Sequence, residues 1–317
     1  KGNRVLRKIG LDTHGLPIEV NVEKKLGFKS KADIEKFGIE NFCKECNKET
    51  ATNIEIVKKV TDQMGQFIDM ENPYITCSNE FIESEWWLIK NIFDQGLIYH
   101  GNKVLPYCPR CGTELSANEV SQGYKNVSVN TVIVPFKLKD EDTYVLVWTT
   151  TPWTLIDNVA LCVNPNYEYL KVESMGYKFI VGKSLAEKVL GDDFKVLEEL
   201  TGKDLEGLSY EQLLPFAKVE GKAFVILADT YVTDADGTGI VHIAPAYGED
   251  DSRVAKENGV AFVQSVDKDG KYKIGPWKGT VVTDSDLEIE IIKYLKANDK
   301  LFKKIKLTHD SPHCWRC

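Results

Sequence analysis

The chain has 317 residues, of which 43% are apolar, and it carries a formal net charge of −8. Its length allows one large or two ordinary domains, and neither a membrane-spanning run of about eighteen apolar residues nor a signal peptide is present, so we expect a soluble, cytoplasmic monomer. The acidic balance argues against a protein that grips nucleic acid mainly through phosphates; contact with RNA would be weak or limited to a local patch such as Lys303, Lys304 and Lys306.

The first hundred residues are predicted to be mostly helical. A short strand and turn are expected within residues 1–10. The stretch "GLPIEVNVEKKLG" predicts a helix with Pro17 in its first position and Gly27 as its C-terminal cap. A long polar helix is predicted from Ile39 to Met64, and a third helix with a broad apolar face begins after Ser78, a suitable N-cap.

The chain beyond residue 125 has the composition of a β-rich domain. Short helices are expected near 184–190, 249–258 and 284–297. Together these elements predict a mixed domain with a barrel-like or strongly curved sheet over 126–307. Strands are predicted at "TVIVPFKL", "TYVLVWTT", "EYLKVES", "YKFIVGK", "AFVILADTYV" and "GIVHIAP".

Four of the eight cysteines form two Cys-x-x-Cys pairs, Cys108 and Cys111 in "CPRC" and Cys314 and Cys317 in "CWRC". Disulfides are not expected in a cytosolic chain, whereas two such pairs complete the four-sulfur site that zinc prefers. The pairs are separated by residues 112–313, which predicts an inserted domain whose base brings them together. Buried thiols without a metal are the alternative.

The remaining cysteines are interpreted as structural. Cys43 and Cys46 have the same spacing, but they lie in a charged helical run without the Pro or Gly of a metal knuckle, and we expect two thiols one helical turn apart. Cys77 and Cys162 are expected to be small apolar residues. Because the chain lacks an initiator Met and ends on Cys317, we expect it to be a fragment of a longer protein.

The stretch "WTTTPWTL" at 148–155 places three threonines at the end of an apolar strand. Alternation predicts Thr149 and Thr151 on one face and Thr150 on the other, with Pro152 ending the ladder. Their hydroxyls can hold a polar substrate or orient a water molecule. Threonine is also a good strand former, so the row has a structural explanation as well.

A second stretch, "DGTGIVHIAPAYGEDD" at 236–251, combines a Gly-rich turn, a strand carrying His242 and an acidic helix start. Glu249, Asp250 and Asp251 are stabilised there by the helix dipole, and the same position suits a substrate ammonium group. His242 is interpreted either as a satisfied core residue or as a catalytic one. The sequence contains no Gly-x-Ser-x-Gly elbow and no Walker-type loop.

Taken together, these stretches resemble the bacterial isoleucyl-tRNA synthetases, a family of class I aminoacyl-tRNA synthetases, along nearly the whole chain. "DTHGLPIE" at 12–19 is similar to a signature of their catalytic domain. "PYCPRCGTELS" and "HCWRC" resemble the zinc knuckles that flank their inserted editing domain. "WTTTPWTL" and "GTGIVHIAPAYGEDD" resemble the two editing motifs, the first with Pro152 and Trp153 where the valine and leucine enzymes usually have Arg.

The resemblance implies roles for the matching positions. Thr149–Thr151 and, further on, Asn158 would line the hydrolytic pocket. Asp251 would hold the α-ammonium of the misattached amino acid. His242 would contact the terminal ribose and the amino acid and help to exclude the correct product.

Five further residues are expected to bind substrate. Trp153, Ala244 and Tyr247 belong to the editing motifs, and Asp12 and His14 belong to the synthetic site. Two departures from the family pattern affect these regions. Leu11 replaces the usual Trp before "DTHGLP", and "TLIDN" replaces the commoner "TLPAN", which could shift the loop holding Asn158.

The fold that the resemblance implies is a multi-domain α+β fragment. Residues 1–125 would form the mostly helical part of a split, Rossmann-type class I catalytic domain with the first knuckle. Residues 126–307 would form the β-barrel-like mixed α/β editing domain, and residues 308–317 a return strand with the second knuckle.

The implied function is proofreading, the hydrolysis of mischarged valyl-tRNA(Ile). The implied partners are tRNA(Ile), with valine and isoleucine as aminoacyl groups, and the implied cofactor is structural zinc. ATP and magnesium would serve only the parent enzyme. The family's His-x-Gly-His and Lys-Met-Ser-Lys-Ser signatures are absent from these 317 residues, so we expect no activation of isoleucine.

Two other functions remain open at this point. The chain could be a zinc-stapled RNA-binding module without chemistry of its own. A nucleotide-using synthetase core is the other alternative, and the missing ATP signatures disfavour it.

Overall fold

A computed structural model describes residues 2–101 and 103–317 of the chain. They cluster into two compact units, one spanning Lys103–Trp315 and the other built mainly from the chain before it. Residue 1, part of the segment predicted to hold the first strand, lies outside the described residues. None of the described helices has the length and apolar character needed to cross a membrane.

The first unit combines one parallel pair of strands with four helices. Gly27 closes the first helix at φ 72° as predicted, whereas Pro17 is the second residue of this helix and not the first. Ser78 caps the last helix by accepting a hydrogen bond from the backbone N–H of Phe81. The elements are β1 (Lys8–Leu11), α1 (Leu16–Leu26), α2 (Lys31–Phe37), α3 (Ile39–Gln63), β2 (Asp69–Ile75) and α4 (Asn79–Asp94).

The predicted apolar face of α4 is exposed. None of the residues of α4 is buried, and Trp86 and Trp87 are each 65% exposed. Neither α2 nor β2 was predicted from the sequence. The run of β2, "DMENPYI", contains Asn and Pro and has no alternating apolar pattern, so its pairing with β1 carries no local signal.

The larger sheet of the second unit has six strands in an open arrangement. Its strands are β5 (Tyr124–Lys137), β6 (Tyr144–Thr149), β8 (Glu168–Ser174), β9 (Tyr177–Gly182), β10 (Lys195–Thr201) and β13 (Lys303–Pro312). Across the sheet they follow the order β10-β8-β9-β6-β5-β13, and β6 and β9 are the parallel neighbours in an otherwise antiparallel sheet.

A second sheet of three strands carries part of the candidate site. The strand β7 (Ala160–Val163) lies in its centre, parallel to β11 (Val225–Ala228) and antiparallel to β12 (Ile240–Ile243). The remaining elements are a two-stranded hairpin and five helices. They are β3 (Tyr107–Cys108), β4 (Thr113–Glu114), α5 (Ala117–Ser121), α6 (Ala186–Leu190), α7 (Gly202–Leu205), α8 (Glu249–Glu257) and α9 (Ser285–Ala297).

The alternation of apolar residues in β5 places the six-stranded sheet between two apolar clusters. Val132, Val134 and Phe136 join the main core, whereas Ile133 joins a separate cluster with Leu146 of β6. Such burial on both faces requires the nearly continuous apolar run seen in "TVIVPF". The mixed α/β character predicted for this region is confirmed, although the described strands form open sheets and no closed barrel.

The strands β5 and β13 pair over their whole length. The register runs from Tyr124 opposite Pro312 to Ile133 opposite Lys303. The domain limits predicted from sequence, 126–307, fall inside these two strands, and they stay a prediction. This pairing holds Gly123, just before β5, next to His313, just after β13.

Candidate functional site

A cavity of about 460 Å³ opens in the second unit where β6 ends beside β12. The two segments singled out in the sequence both line it, although more than eighty residues separate them along the chain. Thr149, Thr150 and Thr151 come from the first segment, and His242 and Asp251 come from the second. The structure therefore brings these five predicted catalytic residues to one cavity.

The threonine row begins at the last residue of β6 and continues beyond the strand along the cavity. β6 ends at Thr149, and a 3₁₀ turn, Pro152–Asp157, begins three residues later. The hydroxyl oxygens of Thr149 and Thr151 lie 3.3 Å apart, as expected for residues on one face, and Thr150 also lines the cavity. The backbone N–H of Thr151 donates to Thr149 Oγ1 at 3.1 Å, which folds the row back on itself.

His242 is buried and joins this hydroxyl network through Nε2. Its Nε2 lies 3.0 Å from Thr154 Oγ1 and 3.5 Å from Thr149 Oγ1. Because the Thr154 hydroxyl donates to the carbonyl of Thr151 at 2.9 Å, it accepts from His242, which assigns the proton to Nε2. Burial lowers the pKa of His242 to about 4, so the imidazole is neutral at pH 7.

Asp251 is the only carboxylate of the acidic helix start, Glu249–Asp251, that lines the cavity. Its Oδ2 accepts a hydrogen bond from the backbone N–H of Ala244 at 2.9 Å, and burial raises its pKa to about 6. Asp250 is exposed, and its Oδ1 lies 3.5 Å from Nη2 of Arg253. At neutral pH the cavity therefore contains a partly desolvated anion, which suits a cationic group of a ligand.

Trp153, Ala244 and Tyr247 also line the cavity, as the resemblance implies. The rings of Trp153 and Tyr247 pack edge to face, with centroids 4.8 Å apart and an interplanar angle of 72°. We call this pair the aromatic wall. It gives the cavity an apolar side next to the hydroxyl network.

Asn158 is the predicted catalytic residue that does not line this cavity. It is 3% exposed, its Nδ2 donates to the carbonyl of Ala160 at 2.9 Å, and its Oδ1 accepts from the hydroxyl of Tyr210 at 2.7 Å. Both ends of the amide are therefore engaged in holding the start of β7. The catalytic role given to Asn158 stays a prediction without support from its position.

Thr154 and Tyr231 are among the lining residues that were not predicted from the sequence. Thr154 was quoted within the motif but given no role, and only the 3₁₀ turn explains how it returns to the carbonyl of Thr151. Tyr231 lies in a run interpreted only as a strand. Its hydroxyl is buried, and none of the described residues forms a hydrogen bond with it.

Asp12 and His14, the residues expected to belong to a synthetic site, lie in the first unit. Asp12 Oδ1 accepts from the hydroxyl of Thr76 at 3.3 Å. His14 lines a separate cavity of about 540 Å³ together with Cys43, Cys46 and Cys77. The structure does not place Asp12 in the lining of that cavity.

The four cysteines of the two Cys-x-x-Cys pairs lie close together. The sulfur atoms of Cys108, Cys111, Cys314 and Cys317 all lie within 4.8 Å of one another, and Cys111 and Cys314 are 3.9 Å apart. Four sulfurs at about 2.3 Å from a zinc ion would be about 3.8 Å from each other in a tetrahedron, so the donor set fits. These cysteines could hold a metal ion.

The other cysteines divide by exposure. Cys43 and Cys46 lie on α3 and outside this sulfur cluster, as expected. Cys162 is buried in β7, which fits its interpretation as an apolar residue, and burial raises the pKa of its thiol to about 12. Cys77 is exposed, and its interpretation as a small apolar residue stays a prediction.

A family model described as "tRNA synthetases class I (I, L, M and V)" matches residues 1–307. The chain belongs to this family. The isoleucine–tRNA ligase of Clostridium tetani is 49% identical over 320 residues, which cover 100% of this chain and 31% of the relative. The isoleucine–tRNA ligase 2 of Bacillus anthracis is 47% identical, again over 100% of this chain and 31% of the relative. The resemblance to isoleucyl-tRNA synthetases is thereby confirmed.

This class I synthetase chain spans 31% of the length of the curated relatives that it matches. Among solved structures, the crystal structure of GlLeuRS-CP1 covers 55% of this chain and 98% of its own, with a TM-score of 0.46 and 16% identity. The editing domain of the P. knowlesi cytosolic leucyl-tRNA synthetase covers 57% and 98%, with a TM-score of 0.46 and 13% identity.

Proposed function

We propose that the cavity of the second unit is an editing site that hydrolyses the ester of mischarged valyl-tRNA(Ile). In this proposal the parent enzyme joins isoleucine to tRNA(Ile) with ATP and magnesium, in the cytoplasm, and this part removes valine attached in error. The observation that carries the proposal is the meeting of the threonine row, His242 and Asp251 in one cavity.

A second site is needed because binding alone discriminates poorly between valine and isoleucine. The two side chains differ by one methylene, worth about 1–3 kcal/mol, and the isoleucine enzyme with its selectivity of about 150-fold is the standard example. A pocket that fits isoleucine admits valine. A separate pocket that admits valine and rejects isoleucine removes the error.

The reaction is attack of water on the ester carbonyl. The carbon–oxygen bond to the ribose breaks, valine leaves, and the proton of the attacking water goes to the ribose oxygen. Asp251 holds the α-ammonium of valine, and the hydroxyls of Thr149–Thr151 orient the ester and the water. Since an aminoacyl ester is already activated, positioning suffices without a covalent nucleophile.

His242 acts as a neutral group in this scheme. Its proton on Nε2 is engaged with Thr154, and its lowered pKa of about 4 leaves almost none of the imidazole protonated at pH 7, so there is no imidazolium to donate a proton. We assign it the role of limiting the size of the pocket and contacting the ribose. It does not act as the general acid of the reaction.

The test is deacylation of valyl-tRNA(Ile) and isoleucyl-tRNA(Ile) by the 317-residue chain. Asp251→Ala is expected to lower kcat/KM for valyl-tRNA by about 100-fold, because a charge-assisted contact worth about 3 kcal/mol is lost. Asp251→Asn, which keeps an acceptor for the N–H of Ala244, should lose activity with its melting temperature retained. Asp250→Ala, a change of the exposed neighbour, is the matched control and should hydrolyse normally.

A wild-type rate in both Asp251 variants would remove the anchor role. Binding of tRNA(Ile) without any release of valine by the wild-type chain would favour the other candidate function, a zinc-stapled tRNA-binding module. The cluster of four cysteine sulfurs is the observation that supports this alternative.

We further propose that the sulfur cluster holds a structural zinc ion. Cys108, Cys111, Cys314 and Cys317 would be its ligands, and four thiolates leave no open position for a substrate. The ion would join the segment after residue 107 to the end of the chain. It would stabilise the fold and take no part in ester hydrolysis.

A further inference from the structure

The aromatic wall of the cavity is anchored from behind by a buried carboxylate. The hydroxyl of Tyr247 donates to Asp157 Oδ2, and Asp157 is 0% exposed. Asp157 is the last residue of the 3₁₀ turn Pro152–Asp157, and this turn follows the threonine row directly. It stands in "TLIDN", the segment that departs from the family pattern.

Ser265 donates two further hydrogen bonds to this carboxylate. Its backbone N–H donates to Asp157 Oδ2 at 2.7 Å, and its hydroxyl donates to Oδ1. Asp157 therefore accepts three hydrogen bonds from neutral donors on two distant segments. A buried carboxylate is tolerated only when it is hydrogen-bonded in this way, so the arrangement strongly favours one orientation of the Tyr247 phenol.

The other half of the wall is also held. The carbonyl of Trp153 accepts a hydrogen bond from the buried hydroxyl of Tyr272, and both Trp153 and Tyr247 pack against the main core. The Trp153 ring then meets the Tyr247 ring edge to face. Both residues thus have the cavity on one side and fixed polar partners or core on the other.

We propose that Asp157 is a positioning residue which, through the hydroxyl of Tyr247, fixes the aromatic wall and thereby sets the largest amino-acid side chain that the cavity admits. This inference rests on the proposed editing function. It assigns to Asp157 and Tyr247 a role in selectivity that is separate from the ammonium contact of Asp251 and from the size limit given by His242.

The physical reason is the small difference between the two substrates. To exclude isoleucine, the aromatic wall must not move by as much as the width of one methylene group. A tyrosine ring without its hydroxyl anchor can turn about its two side-chain torsions, whereas the anchored ring is held at both ends. The anchor therefore affects the larger substrate more than the smaller one.

Tyr247→Phe is the decisive variant, because it removes the hydroxyl and keeps the ring. We measure kcat and KM for valyl-tRNA(Ile) and isoleucyl-tRNA(Ile) with the full 317-residue chain. The ratio of kcat/KM for valyl-tRNA to kcat/KM for isoleucyl-tRNA is expected to fall at least about fivefold, because hydrolysis of isoleucyl-tRNA gains relative to hydrolysis of valyl-tRNA. A merely structural role would slow both substrates alike.

Tyr210→Phe is the matched control. It deletes another buried tyrosine hydroxyl, which donates to Asn158 at 2.7 Å and does not line the cavity. Its substrate ratio should equal that of the wild type even if its melting temperature falls as much as that of Tyr247→Phe.

Asp157→Asn is a second variant that preserves volume. Its amide cannot accept from all three donors, so the substrate ratio should fall in the same direction as in Tyr247→Phe. An unchanged ratio in Tyr247→Phe, with a wild type that hydrolyses valyl-tRNA selectively, would overturn this inference alone. A wild type that hydrolyses neither ester would overturn both this inference and the proposed function.

Discussion

Burial acts in opposite directions on two titratable residues of the cavity. It raises the pKa of Asp251 to about 6 and lowers the pKa of His242 to about 4. The charged form is disfavoured in both cases, which means a protonated carboxyl for one residue and a neutral imidazole for the other. Around pH 6 Asp251 therefore changes its charge while His242 stays neutral.

This difference predicts the pH dependence of editing. As the pH falls through about 6, Asp251 takes up a proton and loses its attraction for the α-ammonium, so kcat/KM for valyl-tRNA(Ile) should fall about tenfold per pH unit below that value. The measurement is the deacylation rate from pH 3.5 to 7.5, corrected for uncatalysed hydrolysis.

The Asp251→Asn variant provides the control, because its residual rate should show no such dependence. A wild-type profile that falls only near pH 4 would instead point to His242.

The raised pKa of Asp251 also makes the stability of the fold depend on pH. The folded state binds the extra proton between about pH 4 and 6, so the contribution of Asp251 to the free energy of unfolding falls as the pH rises through this window.

At the scale of elements, local signals predicted the longer helices well. The caps at Gly27 and Ser78 mark the ends of α1 and α4 as expected, because these signals act within one turn of the helix. The strand β10 was not predicted, since its residues are mostly exposed and it forms through tertiary pairing with β8. The open form of the sheets also depends on such pairing and not on composition.

The sequence predicted only part of the site, because local patterns do not show contacts between distant segments. The motifs identified Thr149, His242 and Asp251 because their residue types stand out in a strand or a helix start. Thr154 and Asp157 were missed, since their roles arise from the 3₁₀ turn and from Ser265 more than a hundred residues later. Long-range partners of this kind leave no pattern in a local stretch.

The start of α8 depends on a glycine for steric reasons. A Cβ on Gly248 would lie 2.8–3.1 Å from the carboxyl atoms of Asp251, which is held in place by the N–H of Ala244. Gly248→Ala should therefore displace the carboxylate and lower kcat/KM for valyl-tRNA between about tenfold and a hundredfold. Deacylation and thermal melting are measured together.

Glu249→Ala is the control for that prediction. It changes the same helix start at an exposed residue outside the lining of the cavity, so it should leave deacylation near the wild-type rate. Equal activity in Gly248→Ala and wild type would mean that Asp251 does not need its observed position.

At the scale of the whole molecule, the sulfur cluster joins segments about two hundred residues apart. Their meeting was predicted from the spacing and is confirmed by the positions of the four sulfur atoms. Pairing of β5 with β13 brings the two segments together, since Gly123 and His313 lie next to the ends of these strands.

This arrangement predicts the effect of metal removal. Purified without chelators, the chain should contain about one zinc ion, and chelation should lower its melting temperature by at least about 5 °C, because metal binding contributes to folding free energy. Cys111→Ser should lower the zinc content, whereas Cys43→Ser, outside the cluster, should not. Zinc content near zero in the wild type would contradict the proposed metal site.

The pairing of β5 with β13 also affects synthesis on the ribosome. The strand β5 ends at Lys137 and β13 begins at Lys303, so at about 5–20 residues per second roughly 8–33 s pass before the partner of this edge emerges. During that time an apolar strand edge is open to other nascent chains. Chaperone occupancy during translation should therefore peak after residue 137 and decline once residue 312 has left the exit tunnel.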